Sequence, residues 1–240
     1  MADCFRTISS VRPDDPESWD GRIFLTLDID WAHDDVIGHA IDLIEAAGVA
    51  ATWFVTHDTP MLERLRSNPA FELGIHPNFN FLLAGDPRSG ATAEEVVDRI
   101  IEIVPEAKSV RSHSLVQSSR LLDLFASRGL THDANKLLPE QSGMALRPWT
   151  EWSGMVRVPY YWEDDFWCHT QSPTSMAELL DRPGIRGFDF HPIHIFLNTE
   201  RLERYESVRA HFQDPGRLAE ARCPGRGTAT MLAELLASAG

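Results

Sequence analysis

At 240 residues, with 43% hydrophobic and 24% charged residues, the chain has the make-up of one sizeable globular domain that can bury a core without covalent staples. Its formal net charge of −14, with Lys108 and Lys136 the only lysines and the arginines scattered, excludes a nucleic-acid or anionic-membrane surface, because neither is attracted without a basic patch. No apolar run approaches the roughly 20 residues of a membrane helix.

The N-terminus, MADCFRTISSVRPDD, has no apolar core of a secretory signal, and Cys4, Cys168 and Cys223 share no metal-type spacing. The expectation is a cytoplasmic protein with reduced thiols. Residues 1–20, rich in Pro and Asp, read as an irregular lead-in to a single domain over 21–240.

RIFLTLDI (22–29) is a nearly continuous apolar run and predicts a strand covered on both faces. DDVIGHAIDLIEAAG (34–48) follows at helical spacing, with Gly48 as its stop. Strands are predicted at 49–56 and 71–76 around a short helix in PMLERLRSN, then an amphipathic helix at 92–104. SVRSH (109–113) reads as a strand end, 118–129 as a helix and 130–134 as a strand. The segment 136–165 is irregular and rich in Trp and Pro, with a strand inside GMVRVPYYW. Beyond it lie a helix in SMAELLDRPG, a strand at 185–192, and helices at 199–212 and 228–238. Such alternation predicts a mainly parallel sheet with outer helices, as a barrel or an open doubly wound sheet; both gather chemistry at the C-terminal strand ends.

Polar residues fall at those ends. FLTLDIDWAHDD (24–35) crowds four aspartates behind an apolar run, which is costly unless a cation or a proton relieves the repulsion. Asp34 and Asp35 suit the start of the following helix. Asp28 and Asp30, two apart, point the same way if the strand persists, one to bind a divalent cation and the other to take a proton from its water. His76, in ELGIHPNFNF, adds an imidazole at the same rim, with Asn80 four residues on as a weaker oxygen ligand or a turn residue. Arg111 could hold a carboxylate such as Asp28, and His113 could supply a third metal ligand or meet substrate. His191, in FDFHPIHIFLN, is placed to act as general acid for a leaving amine; His194 is left outside the catalytic set. The acids of WEDDFW (162–167) could wall a cleft, orient a catalytic His or sit in a packed loop.

Taken together, these stretches resemble the polysaccharide deacetylases of the NodB-homology, carbohydrate esterase family 4 type, and within them the WbmS-type branch associated with O-antigen synthesis. The likeness runs from about residue 22 to 198: a strand-end Asp motif, then ATWFV (51–55), ELGIHPNFN as a variant of a His-x-x-x-His motif, Arg111, and His191-Pro192 as the last motif. The resemblance implies a distorted (β/α)7 barrel that hydrolyses an N-acyl, chiefly acetyl, group of an amino sugar or carbohydrate precursor. It makes Asp28 the base, Asp30 and His76 metal ligands and His191 the acid, with Asn80 standing where the family has a second His. The implied cofactor is a divalent metal: zinc, or else nickel, cobalt or manganese. Trp31, Trp162 and Trp167 are candidates to stack on sugar rings. Two rivals stand beside this reading: a haloacid-dehalogenase-type phosphatase with Asp28 as nucleophile, and a catalytically silent sugar-binding barrel that has lost its metal.

Overall fold

In the computed structural model, which describes residues 4–238, nine strands form one sheet. They are β1 (Ile23–Asp28), β2 (Ala51–Val55), β3 (Phe71–Ile75), β4 (Ser109–Val110), β5 (His132–Asp133), β6 (Trp149–Thr150), β7 (Val156–Arg157), β8 (Trp162–Glu163) and β9 (Arg186–Phe190). Their order is β6-β7-β5-β4-β3-β2-β1-β9-β8, and every pairing is parallel except β6 with β7.

The two ends of that order meet through the chain itself. β7 and β8 are halves of the run 156–163, divided at Pro159, which has no N–H to give a ladder. The first half pairs with β5 and the second with β9. Between them, Tyr160 N–H donates to Lys136 O (3.0 Å) and Tyr161 N–H to Gly187 O (3.4 Å). Gly187 is required here, since a Cβ on it would stand 2.5 Å from the Tyr160 Cβ. With β6 lying outside and β7 and β8 sharing one stave, seven parallel positions surround the interior: a distorted α/β barrel.

The strands form because they are apolar on both faces: β1 and β2 are buried throughout, against the interior on one side and helices on the other. The helix Asp34–Ala47 buries Val36, Ile37, Ala40, Ile41 and Ile44 at a spacing of three and four, and ends at Gly48 in the left-handed conformation (φ 63°). Ala93–Ile103 and Ser119–Ser127 start at Thr92 and Ser118, whose hydroxyls accept from the backbone N–H groups of Glu95 and Leu121. The single helix expected at 199–212 is instead Leu202–Ser207 followed by a 3-10 turn, because Val208 turns inward to be buried. Four short helices were not expected: Asn80–Leu83, Asp164–Thr170, Pro192–Leu197 and Pro215–Glu220.

The first described residues are irregular, but they are built into the barrel. Phe5 bridges to Ile23 alongside β1, Ile8 N–H donates to Thr52 Oγ1 (3.0 Å), and Ser9 N–H donates to Glu72 Oε2 (2.9 Å). The Val11 carbonyl lies 2.9 Å from His132 Nε2. Phe5, Ile8, Val11 and Trp19 are all buried. These partners stand at the N-terminal strand ends, so the segment closes the rim opposite the polar strand ends. Phe5→Ala is therefore expected to destabilise the whole domain by about 3–5 kcal/mol, the usual loss for a buried Phe. Urea unfolding checks this, and an unchanged midpoint would make the segment a mere lead-in.

Candidate active site

The strand-end residues converge at the C-terminal mouth. β1 stops at Asp28, and the chain then turns tightly: Asp30 (φ 37°) and Trp31 (φ 54°) are both left-handed, and Ala32 N–H donates to Ile29 O at 2.9 Å. Trp31 N–H is held by Thr56 Oγ1 at 3.1 Å, beyond the end of β2. Asp30 thus reaches the mouth through a turn, not through strand alternation. Two consecutive non-glycine residues at positive φ are costly, and such strain persists where the surroundings enforce it.

His76 follows β3 and is 2% exposed. Its Nε2 lies 3.2 Å from Asp30 Oδ1 and 3.5 Å from Asp28 Oδ2, yet among the described residues neither ring nitrogen has a hydrogen-bond partner. His113 opens a 3-10 turn after β4, and its Nδ1 lies 3.2 Å from the same Asp30 Oδ1. Asp30, His76 and His113 bring one donor atom each to within 4.8 Å of one another. A buried imidazole with no hydrogen bond, facing a carboxylate and a second imidazole, fits a divalent metal of the zinc type. Burial pushes the Asp30 carboxyl up, but His113 and His76, with the charge of His191, hold it well below the usual range.

Arg111 is buried across the mouth. Its Nη1 donates to Thr26 Oγ1 (2.9 Å) and Asp28 Oδ1 (3.0 Å) and pairs with Asp189, while Nε donates to Ala134 O (3.1 Å). The guanidinium lies 4.6 Å from the Phe54 ring and 4.4 Å from the Tyr160 ring. Burial opposes its charge, but Asp189 and Asp28 raise its pKa further. Asp28, 4% exposed, thus has one oxygen spent on Arg111 and the other turned towards His76.

His191 stands just past β9. Asp164, the first residue of its helix, holds it twice: Oδ2 accepts the His191 backbone N–H (2.8 Å), and Oδ1 lies 2.7 Å from Nδ1. Nε2 faces inward, 3.7 Å from Asp30 Oδ2. Burial would lower the imidazole pKa, but Asp164 and Asp165 outweigh it and raise it well above the ordinary value. His194 is buried, with Nε2 2.5 Å from Asp165 Oδ1 and Nδ1 3.0 Å from Thr199 Oγ1, and so lies outside this set.

Asn80 lies exposed at the start of the helix Asn80–Leu83, and its amide nitrogen donates to Ser114 Oγ at 2.9 Å, next to His113. Of the three tryptophans considered for sugar stacking, Trp162 is 2% exposed and packs on Phe190 at 4.7 Å, so it is core. Trp167 packs beside it and lines a separate groove near Met176. Trp31 alone of these is exposed, its ring edge-on to His113 at 5.2 Å. Sequence reasoning gave no role to Asp189, although FDFH repeats the two-residue spacing of Asp28 and Asp30. Asp164 was named only within an ambiguous acidic stretch.

The family model for WbmS-like polysaccharide deacetylases matches residues 25–209. Among solved structures, a candidate polysaccharide deacetylase involved in O-antigen biosynthesis, from Bordetella bronchiseptica, is 48% identical, with 100% of this chain and 99% of that one covered and a TM-score of 0.92. A candidate polysaccharide deacetylase from Mycobacterium smegmatis is 15% identical over 90% of each chain, with a TM-score of 0.47. No curated protein matches significantly. By the extent of the family match and the identity of the Bordetella relative, the chain belongs to the WbmS-like polysaccharide deacetylases.

Proposed function

We propose that the protein is a metal-dependent hydrolase that removes an N-acyl group, in the first place acetyl, from an amino sugar in a carbohydrate precursor. The observation that carries this is the buried His76 imidazole, without a hydrogen bond, turned towards Asp30 and Asp28. A role in O-antigen synthesis is taken from the Bordetella relative, whose likeness runs the full length of the chain. The cytoplasm is the proposed compartment: the three cysteines are free, and among the described residues no helix is long and apolar enough to cross a membrane.

Asp30, His76 and His113 would hold the cation, whose chemistry when bound is to make water acidic and to steady an oxyanion. Zinc suits this donor set, with nickel, cobalt and manganese as alternatives. His113 takes the place left by the family's second His. Asn80 acts through Ser114 to fix the turn that carries His113. Asp28 is the base: Arg111 fixes one of its oxygens, leaving the other to accept the proton of the attacking water. His191 is the acid: Asp164 anchors Nδ1, so Nε2 gives its proton to the departing nitrogen. Nothing here favours the phosphatase alternative, in which a buried Asp28 tied to Arg111 would have to act as nucleophile.

Chelation followed by zinc titration tests the metal. The wild type is expected to bind one equivalent, and His76→Ala or His113→Ala to weaken it by more than about 100-fold, beyond the loss of an outer-shell partner. Asn80→Ala should cost only about tenfold, the low end of an outer-shell effect. A wild type that takes up no metal at neutral pH would favour the silent barrel. Acetate release from N-acetylated sugar precursors tests the chemistry: Asp28→Asn and His191→Ala should each lower kcat by about 10²–10⁴-fold. Asp28→Asn should still bind zinc, and unchanged turnover in it would remove the base assignment.

A further inference from the structure

Beside the metal triad lies a cavity of about 630 Å³ that the proposed chemistry does not use. Trp31, whose ring also meets His113, forms the wall between the two, and Asn78, two residues after His76, adds to it. The far side is made by the loop after β3 and the helix Ala93–Ile103, with Phe81, Ile100 and two arginines, Arg88 and Arg99. The cavity is far larger than an acetyl group needs and falls within the range that holds a ligand of several rings.

Its charge is arranged by side. Arg88 lies over the Phe81 ring at 4.6 Å, and Asp86 Oδ2 takes its Nε (2.7 Å) and Nη2 (2.6 Å), which fixes the guanidinium plane and leaves Nη1 outside that pairing. Arg99 donates through Nη1 to the Arg88 backbone carbonyl (3.1 Å), which holds the two side by side; among the described residues it has no carboxylate partner. Asp58 and His57 line the cavity from the loop after β2, with His57 Nδ1 2.9 Å from Thr56 Oγ1. Two guanidinium groups, one unspent, match the oxygens of a phosphoryl group. With Arg88 already paired to Asp86, the uncompensated charge here is that of Arg99, a local attraction for an anion on a protein of net charge −14.

We infer that the cavity is a subsite for a phosphoryl group on the substrate, held between Arg88 and Arg99 while the amino sugar lies over Asp30, His76 and His113. The substrate is then an activated precursor, a sugar joined to a phosphate or diphosphate, and not a neutral glycan. The inference rests on the deacetylase reading only for the placement of the sugar.

Calorimetric titration of the zinc-loaded protein with inorganic pyrophosphate tests it. The wild type should bind, and Arg99→Ala and Arg88→Ala should each weaken binding by about tenfold or more, as loss of a charge-assisted contact does. Arg99→Lys should retain part of the affinity, and Arg128→Ala, whose arginine pairs with Asp98 outside the cavity, should change nothing. Absence of binding, or binding untouched by both cavity variants, overturns the subsite, the latter because the anion would then sit on the metal. Uridine diphosphate and geranyl diphosphate separate the sources: whichever binds more tightly than pyrophosphate identifies a nucleoside or a prenyl carrier. Acetate release from neutral N-acetylglucosamine reports on the deacetylase reading alone. Release with no arginine-dependent pyrophosphate binding removes only the subsite. Binding that depends on the arginines, with no release from any N-acetyl sugar, keeps the subsite and removes only the deacetylase reading.

Discussion

The barrel mouth is organised around one buried cation. Arg111 takes Asp28 from β1, Asp189 from β9 and the Ala134 carbonyl after β5, and is stacked between Phe54 of β2 and Tyr160 of the closing run. A guanidinium out of water is costly unless every side is compensated, so five separate stretches of backbone must reach fixed positions together. The same contacts set the reactive geometry. They hold Asp28 by one oxygen and leave the other facing His76, so the fold's strongest constraint and the proposed base are one network.

The two ends of the barrel divide the work. The N-terminal rim is closed by Phe5, Ile8 and Val11, apolar groups whose burial stabilises the fold at no electrostatic cost. The C-terminal rim gathers Asp28, Asp30, Asp164 and Asp189 with His76, His113 and His191, an arrangement that costs free energy unless a cation, a proton or Arg111 offsets it. The left-handed pair Asp30 and Trp31 adds backbone strain at that rim. Apolar closure at one end lets the other remain polar and strained.

Around the mouth, one short segment carries two consequences. Residues 76 to 89 supply His76, then Asn80 tied to Ser114, then Phe81 and Arg88 on the neighbouring cavity. With an asparagine at position 80, it is His113 that comes in from the next strand end to face Asp30. The turn that brings it there includes Ser114 and Leu115 at positive φ, and the Asn80 amide is bonded to that turn. The proposed ligand set and the cavity wall are thus shaped by the same loop.

Much of the fold was legible from pattern: continuous apolar strands at 22–29 and 49–56, a helix running to Gly48, and polar residues after each strand, because burial on both faces and helical spacing leave a local record. Asp28, His76, Arg111 and His191 could be named from their place after apolar runs. Local pattern could not show that β7 and β8 are one stave divided at Pro159, or that residues 5 to 11 close the lower rim, since both depend on partners far away in sequence. Nor could it separate Asp164, which grips His191, from Asp165, which grips His194, or the core tryptophan at 162 from the exposed one at 31. The sequence alone determined which residue types stand at the strand ends, because chain-local hydrophobicity and turn chemistry specify them. Only the tertiary structure decided which of them meet, because distances of about 3 Å between residues up to 163 positions apart are set by closure of the barrel.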